Sequence, residues 1–315
     1  MNGSTVPSPA PTGPRGRRIE LRAGGYRAEV SSVGAILESL TIDGRDLVVR
    51  SPQDGPMLLH RGAIVAPWPN RIGDGRYTWD GHDLQVPITE AERGNALHGL
   101  ICYQNFDAEQ RSESEAVLRT DLFPTPGYPF HLELDVTYRL DASTGLTTTV
   151  TARNIGDADA PYGVCPHPYL IAGPEPLDTW RLQVGFGTML EVDAERLLPT
   201  GTAAVRPGGP FDFRDGRVLG DQSIDHAFTD LDRDADGSLR VTLTAPGGTG
   251  VELSAASACT WLQVHTADRP EPENNRAGLA VEPMTCPPDA FRSGRDIMRL
   301  RPDHTHTASW AIRGW

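Results

Sequence analysis

The chain contains no lysine: all 29 of its basic side chains are arginine. Schiff-base catalysis through an ε-amine and the lysine of a phosphate-binding P-loop are therefore both excluded. Cysteine is scarce, with four residues at positions 102, 165, 259 and 286 and no Cys-x-x-Cys pair. Zinc-type spacing and a disulfide framework are both missing, which predicts reduced thiols in a cytoplasmic protein. No apolar run approaches the roughly 18 residues needed to span a bilayer. Residues 1–18 are rich in Pro, Ser, Gly and Thr without an apolar core, so a disordered tail is expected rather than a signal peptide or anchor. The formal charge of −13 opposes non-specific binding to nucleic acid or to an anionic membrane, both of which need a basic surface.

What is present describes a soluble globular protein. Of 315 residues, 38% are hydrophobic and 23% charged, enough for a sizeable core in a single domain over residues 19–315. Period-two alternation dominates the chain. Leu132, Leu134, Val136, Tyr138 and Leu140 alternate with polar residues, and Leu146, Thr148, Val150 and Ala152 continue on one face after a turn. That pattern predicts strands with one buried and one wet face. Asp80-Gly81 and Asp43-Gly44 are pairs that hairpin turns favour. With 33 glycines and 27 prolines scattered throughout, long helices do not survive. The expected fold is an all-β antiparallel sandwich, with the candidate chemistry on its loops.

Five constrained segments hold that chemistry. In Val164-Cys165-Pro166-His167-Pro168-Tyr169, two prolines stiffen the backbone around an imidazole, the group best poised to exchange a proton near neutral pH. A core histidine held by a backbone hydrogen bond is the alternative. Pro67-Trp68-Pro69-Asn70-Arg71 offers an aromatic face and directed donors suited to a polyhydroxylated ligand; it fits equally a core tryptophan and a surface ion pair. In Asn95-Ala96-Leu97-His98-Gly99, the glycine permits close approach of backbone or ligand. Asp225, in Ser223-Ile224-Asp225-His226-Ala227-Phe228, could accept hydrogen bonds from hydroxyls or form an Asx-turn or helix cap. Glu282 closes the apolar run Leu279-Ala280-Val281 and is followed by Pro283. Burial would raise its pKa towards the range of a general base.

Taken in order, Pro-Asn70-Arg71, Leu-His98-Gly, His167-Pro-Tyr169, Asp225-His-Ala-Phe and Val-Glu282-Pro resemble the aldose 1-epimerase (galactose mutarotase) family across the chain after its tail. The extended forms Pro-Trp-Pro-Asn-Arg-Ile and Glu-Pro-Met-Thr-Cys-Pro-Pro-Asp-Ala-Phe look like a bacterial subgroup that includes sulfoquinovose mutarotase-like proteins. The resemblance implies a galactose mutarotase-like supersandwich with its site in a cleft on one sheet and no metal or cofactor. It also implies His167 as general acid, Glu282 as general base, and Asn70, Arg71, His98, Asp225 and Gln263 as residues that bind the sugar. Cys165-Pro166 departs from the smaller or apolar residues usual before that histidine.

Interconversion of sugar anomers requires a proton on the ring oxygen and loss of one from the C1 hydroxyl. A protonated histidine and an ionised glutamate on opposite sides of C1 would meet that demand. Two other functions fit the same residues: a non-catalytic carbohydrate-binding protein on this fold, and a mutarotase for a phosphorylated or sulfonated hexose using Arg76, Arg93 and Arg276 at the rim.

Overall fold

Alternating apolar residues build sheets rather than helices throughout. The computed structural model describes residues 13–51, 55 and 57–315. Among these residues the strands form three larger sheets, all antiparallel, together with several two-stranded ribbons. The longest strands, Leu132–Asp141 and Gly145–Asn154, lie side by side in a nine-stranded sheet. Their register places Leu134 opposite Ala152 and Val136 opposite Val150, so the predicted buried face is continuous. The Asp43-Gly44 and Asp80-Gly81 turns both have positive φ at each residue, as the hairpin geometry requires. Among the described residues the only α-helix is the four-residue Ala290–Ser293, with two short 3₁₀ turns.

A six-stranded sheet faces the nine-stranded one. Its order is Tyr169–Leu170, Leu279–Met284, Trp261–His265, Asp225–Leu231, Phe186–Val192 and Pro199–Ala204. One face contributes Phe228, Leu262, Val264 and Val281 to a core cluster that also draws in Leu134, Val136, Leu253 and Ile312 from the nine-stranded sheet. The opposite face carries Asp225, Gln263, His265 and Glu282. A four-stranded sheet from Arg18–Ala23 to Arg45–Asp46 packs into the same cluster through Leu21, Val30 and Leu40. No helix among the described residues is long and apolar enough to cross a membrane.

The expected tail falls partly outside the described residues, which begin at 13. Its last part belongs to the fold. Arg15 is 2% exposed and its Nη1 lies 2.7 Å from Glu38 Oε2, while Arg17 donates to the Ala108 carbonyl at 2.7 Å. Composition could not show this, because one buried ion pair outweighs a local bias towards Pro and Gly. Removing one member of a buried pair strands the other's charge, at a cost of about 3–5 kcal/mol. Arg15→Ala is therefore expected to lower stability by about that amount in denaturant titrations; a midpoint like that of the parent chain would show that residues 13–18 do not stabilise the fold.

Candidate functional site

Strand pairing assembles most of the site. Gln263 lies opposite Glu282, and Asp225 lies opposite His265. Because cross-strand partners share a face and residues two apart on a strand do so as well, all four side chains project from one side of the six-stranded sheet. Gln263 Nε2 donates to Asp225 Oδ1 at 2.6 Å, and His265 Nδ1 lies 3.6 Å from the same oxygen. Asp225 opens a strand, so neither the Asx-turn nor the helix cap applies. The expectation that the chemistry sits on loops is corrected for Asp225, which opens a strand; Gln263 and Glu282 lie on strands, as their apolar flanks predicted.

His167 reaches this face from above. Cys165 and Pro166 pair with Val65 and Ile64, so the two residues that depart from the family's pattern form a short strand. The backbone of His167 then donates to the Ala63 carbonyl at 3.0 Å and accepts from Gly62 N–H at 2.8 Å. On its other side Tyr169 pairs with Ala280, two residues from Glu282. The imidazole is consequently held between two segments, with its Nε2 3.4 Å from Glu282 Oε1. Both side chains are buried, and His167 Nδ1 and Glu282 Oε2 lack a hydrogen-bond partner among the described residues. A core histidine satisfied by the backbone does not describe this ring.

The remaining residues line the pair. His98 N–H donates to the Asn70 carbonyl at 2.8 Å, and its ring lies 4.9 Å from that of His167. Asn70 and His98 both have positive φ, at 54° and 59°. The Arg71 guanidinium makes a bidentate ion pair with Glu90, at 2.8 and 2.9 Å, and its Nη1 lies 3.3 Å from Asn70 Oδ1. It therefore pairs with a carboxylate, but a sheltered one that is also bound by Asn95. Trp68 is 2% exposed and packs edge-on against Phe291, so it belongs to the core and offers no stacking face.

Burial dominates the electrostatics. It pushes the His167 imidazole well below its ordinary value, helped by the nearby charges of His60 and His265. It pushes Glu282 well above the carboxylate range, helped by Asp225 and opposed by Arg71. These shifts disfavour the expected protonated histidine beside an ionised glutamate. Low polarity favours the uncharged tautomer, with the shared proton on the carboxyl.

Sequence reasoning missed several neighbours. The ring of His60 lies 4.6 Å from that of His98, and burial lowers its pKa to about 4. Leu59 and His60 both have positive φ, a backbone feature that no motif announces. Arg61 sits over the Tyr169 ring at 5.5 Å, and Arg269 Nη2 lies 3.5 Å from His265 Nε2. The rim arginines expected from sequence are placed otherwise. Arg276 is engaged by Asp178 and Asp268, Arg93 turns towards Glu90 at 3.9 Å, and Arg76 lines a separate surface cleft with Tyr77 and Arg292.

Comparison with known proteins agrees with this arrangement at the level of family. The aldose 1-epimerase family profile matches residues 17–313. This chain belongs to the aldose 1-epimerase family. It is 35% identical over 300 residues to the uncharacterized protein YihR of Escherichia coli K12, covering 95% of this chain and 94% of that one. It is 27% identical to the aldose 1-epimerase of the same organism, covering 94% and 96% respectively. The crystal structure of a GalM/aldose epimerase homologue from C. elegans superposes with a TM-score of 0.82 at 18% identity, covering 95% of this chain and 98% of that one. At that identity the likeness is one of fold, the galactose mutarotase-like antiparallel β architecture.

The placement of His98 yields a direct test. Gly99 has φ of 71°, and a Cβ there would stand 2.1 Å from the Ala66 carbonyl oxygen. Gly99→Ala combines a left-handed backbone with this clash, and is expected to cost at least about 2 kcal/mol in unfolding measurements. A neutral substitution would mean that the Ala66–Gly99 approach does not fix His98.

Proposed function

We propose that the protein interconverts the α and β anomers of a hexose through acid–base ring opening by His167 and Glu282. The observation that carries this reading is the 3.4 Å contact between two buried side chains of complementary proton affinity. One proton shared between them serves both halves of the reaction. When His167 Nε2 gives a proton to the ring oxygen and Glu282 takes one from the C1 hydroxyl, the C1–O5 bond breaks and the aldehyde forms. The pair is left as neutral imidazole and carboxylic acid, the tautomer that burial favours. Rotation about C1–C2 exposes the other carbonyl face, and closure returns both protons. Arg71, whose charge favours an ionised Glu282, helps restore the charged tautomer needed for opening. Asn70, His98, Asp225 and Gln263 supply hydrogen bonds that hold the remaining hydroxyls while C1 turns. A protein that only binds sugar has no need of a buried proton-exchanging pair, so the enzyme reading is preferred.

Each positioned acid or base contributes on the order of 10²–10⁴ in rate. His167→Ala and Glu282→Gln are each expected to reduce polarimetric mutarotation of freshly dissolved α-glucose or α-galactose by that factor, with the fold retained. The profile of kcat/KM should form a plateau. It falls on the acid side as His167 takes a second proton, below the ordinary histidine range, and on the alkaline side as the shared proton leaves, above the ordinary carboxylate range. Parent-like rates in either variant would overturn the roles.

One observation favours the reading in which the hexose is anionic. Arg61 is buried, bonds through Nη2 to Asn274 Oδ1 at 3.0 Å, and lies close enough to Arg269 for their charges to oppose. Both Nε atoms are buried without a hydrogen-bond partner among the described residues. Two guanidinium groups so placed suit a phosphate or sulfonate substituent. Arg269→Met is expected to raise KM for a hexose 6-phosphate about tenfold or more while changing that for galactose little; an equal effect on both sugars would favour the neutral hexose.

A further inference from the structure

We propose that His98, His167 and Glu282 form a binding site for a divalent transition-metal ion of the Zn²⁺ class, and that such an ion competes with the sugar for the acid–base pair. One ligand atom from each residue lies within 4.8 Å of the other two. The Nε2–Oε1 separation of 3.4 Å between His167 and Glu282 is close to the roughly 3.3 Å edge of a tetrahedral zinc site with bonds of about 2.0–2.1 Å. Starting from separations of up to 4.8 Å, an inward adjustment of His98 by about 1.5 Å would complete three corners. All three side chains are nine-tenths or more buried, and each retains an unpartnered polar atom: His98 Nδ1, His167 Nδ1 and Glu282 Oε2. Two imidazoles and one carboxylate select borderline ions over Mg²⁺ or Ca²⁺, which prefer oxygen alone. The fourth position is open to water. Arg71 and Arg269 are nearby opposing charges, and Glu90 neutralises Arg71 through the bidentate pair.

The ion has no role in the proposed reaction. Its occupancy would remove the atoms that exchange protons, so the predicted effect is inhibition relieved by a chelator. That consequence rests on the mutarotase reading, whereas binding of the ion rests only on the three side chains.

Calorimetric titration of chelator-stripped full-length protein with Zn²⁺ separates the two. A 1:1 event is expected, weakened at least about tenfold in His98→Asn and in Glu282→Gln, with no event for Mg²⁺. Thermal unfolding of the metal-free variants shows whether each is folded, and His167→Gln gives a third probe if one is not. Absence of Zn²⁺ binding, or equal affinity in folded variants, overturns the assignment and points to surface histidines. Zn²⁺ binding in a protein that does not accelerate mutarotation leaves the metal site standing and removes the function. Mutarotation insensitive to bound Zn²⁺ overturns the competition.

Discussion

The register of the six-stranded sheet is the constraint on which the site depends. With Gln263 opposite Glu282 and Asp225 opposite His265, these four polar side chains of the three central strands face the same way. Side chains alternate with a period of two, so a slip of one residue would turn Glu282 into the apolar core and expose Val281 in its place. The cost of burying an unpaired carboxylate there makes the register self-enforcing. Phe228, Leu262, Val264 and Val281 supply the attraction, and the polar set on the other face supplies the penalty for error. Core formation and site formation are the same event in these strands.

Electrostatically, the centre is an exception to the rest of the chain. Elsewhere most arginines meet carboxylates at the surface, as at Arg299 with Asp80 or Arg240 with Asp234, where solvent leaves each pair worth little; the buried Arg15–Glu38 pair is an exception. At the site, His60, His98, His167 and Glu282 lie close together, and at its edge Glu90 pairs tightly with Arg71 and more distantly with Arg93. Burial drives the imidazoles towards neutrality and Glu282 towards the acid. The opposite shifts favour the proton on Glu282 rather than on His167, the reverse of the ordinary order of an imidazole and a carboxyl in water.

Much of the fold was legible because its strands alternate. The segments predicted over residues 132–140 and 146–152 lie within Leu132–Asp141 and Gly145–Asn154. Strands without alternation were harder to read. Asp225–Leu231 begins with two polar residues, and Pro199–Ala204 is nearly all exposed, so neither carries a period-two signature. The short pairing of Cys165–Pro166 with Ile64–Val65 exists only because distant segments meet. The five motifs identified residues that the structure brings together, although their catalytic roles came from family resemblance. His60, Arg61 and Arg269 carried no signal, since their relevance arises from left-handed backbone at residues 59–60 and from packing on Tyr169 and His265. The tail boundary failed for a related reason: one long-range ion pair, Arg15 with Glu38, is invisible to local composition.

The two-residue bridge between Ile64–Val65 and Cys165–Pro166 has a wider implication. Within five residues of that bridge stand His60 and Arg61 on one segment and His167 and Tyr169 on the other, tied by backbone hydrogen bonds at Gly62 and Ala63. Groups that would choose the sugar and a group that would move its proton are thus parts of one mechanical unit. A change in the 58–63 segment that accommodates a different substituent also shifts the imidazole. Under the proposed roles, selectivity and turnover are mechanically coupled in this scaffold, and a change in one would require repair of the other.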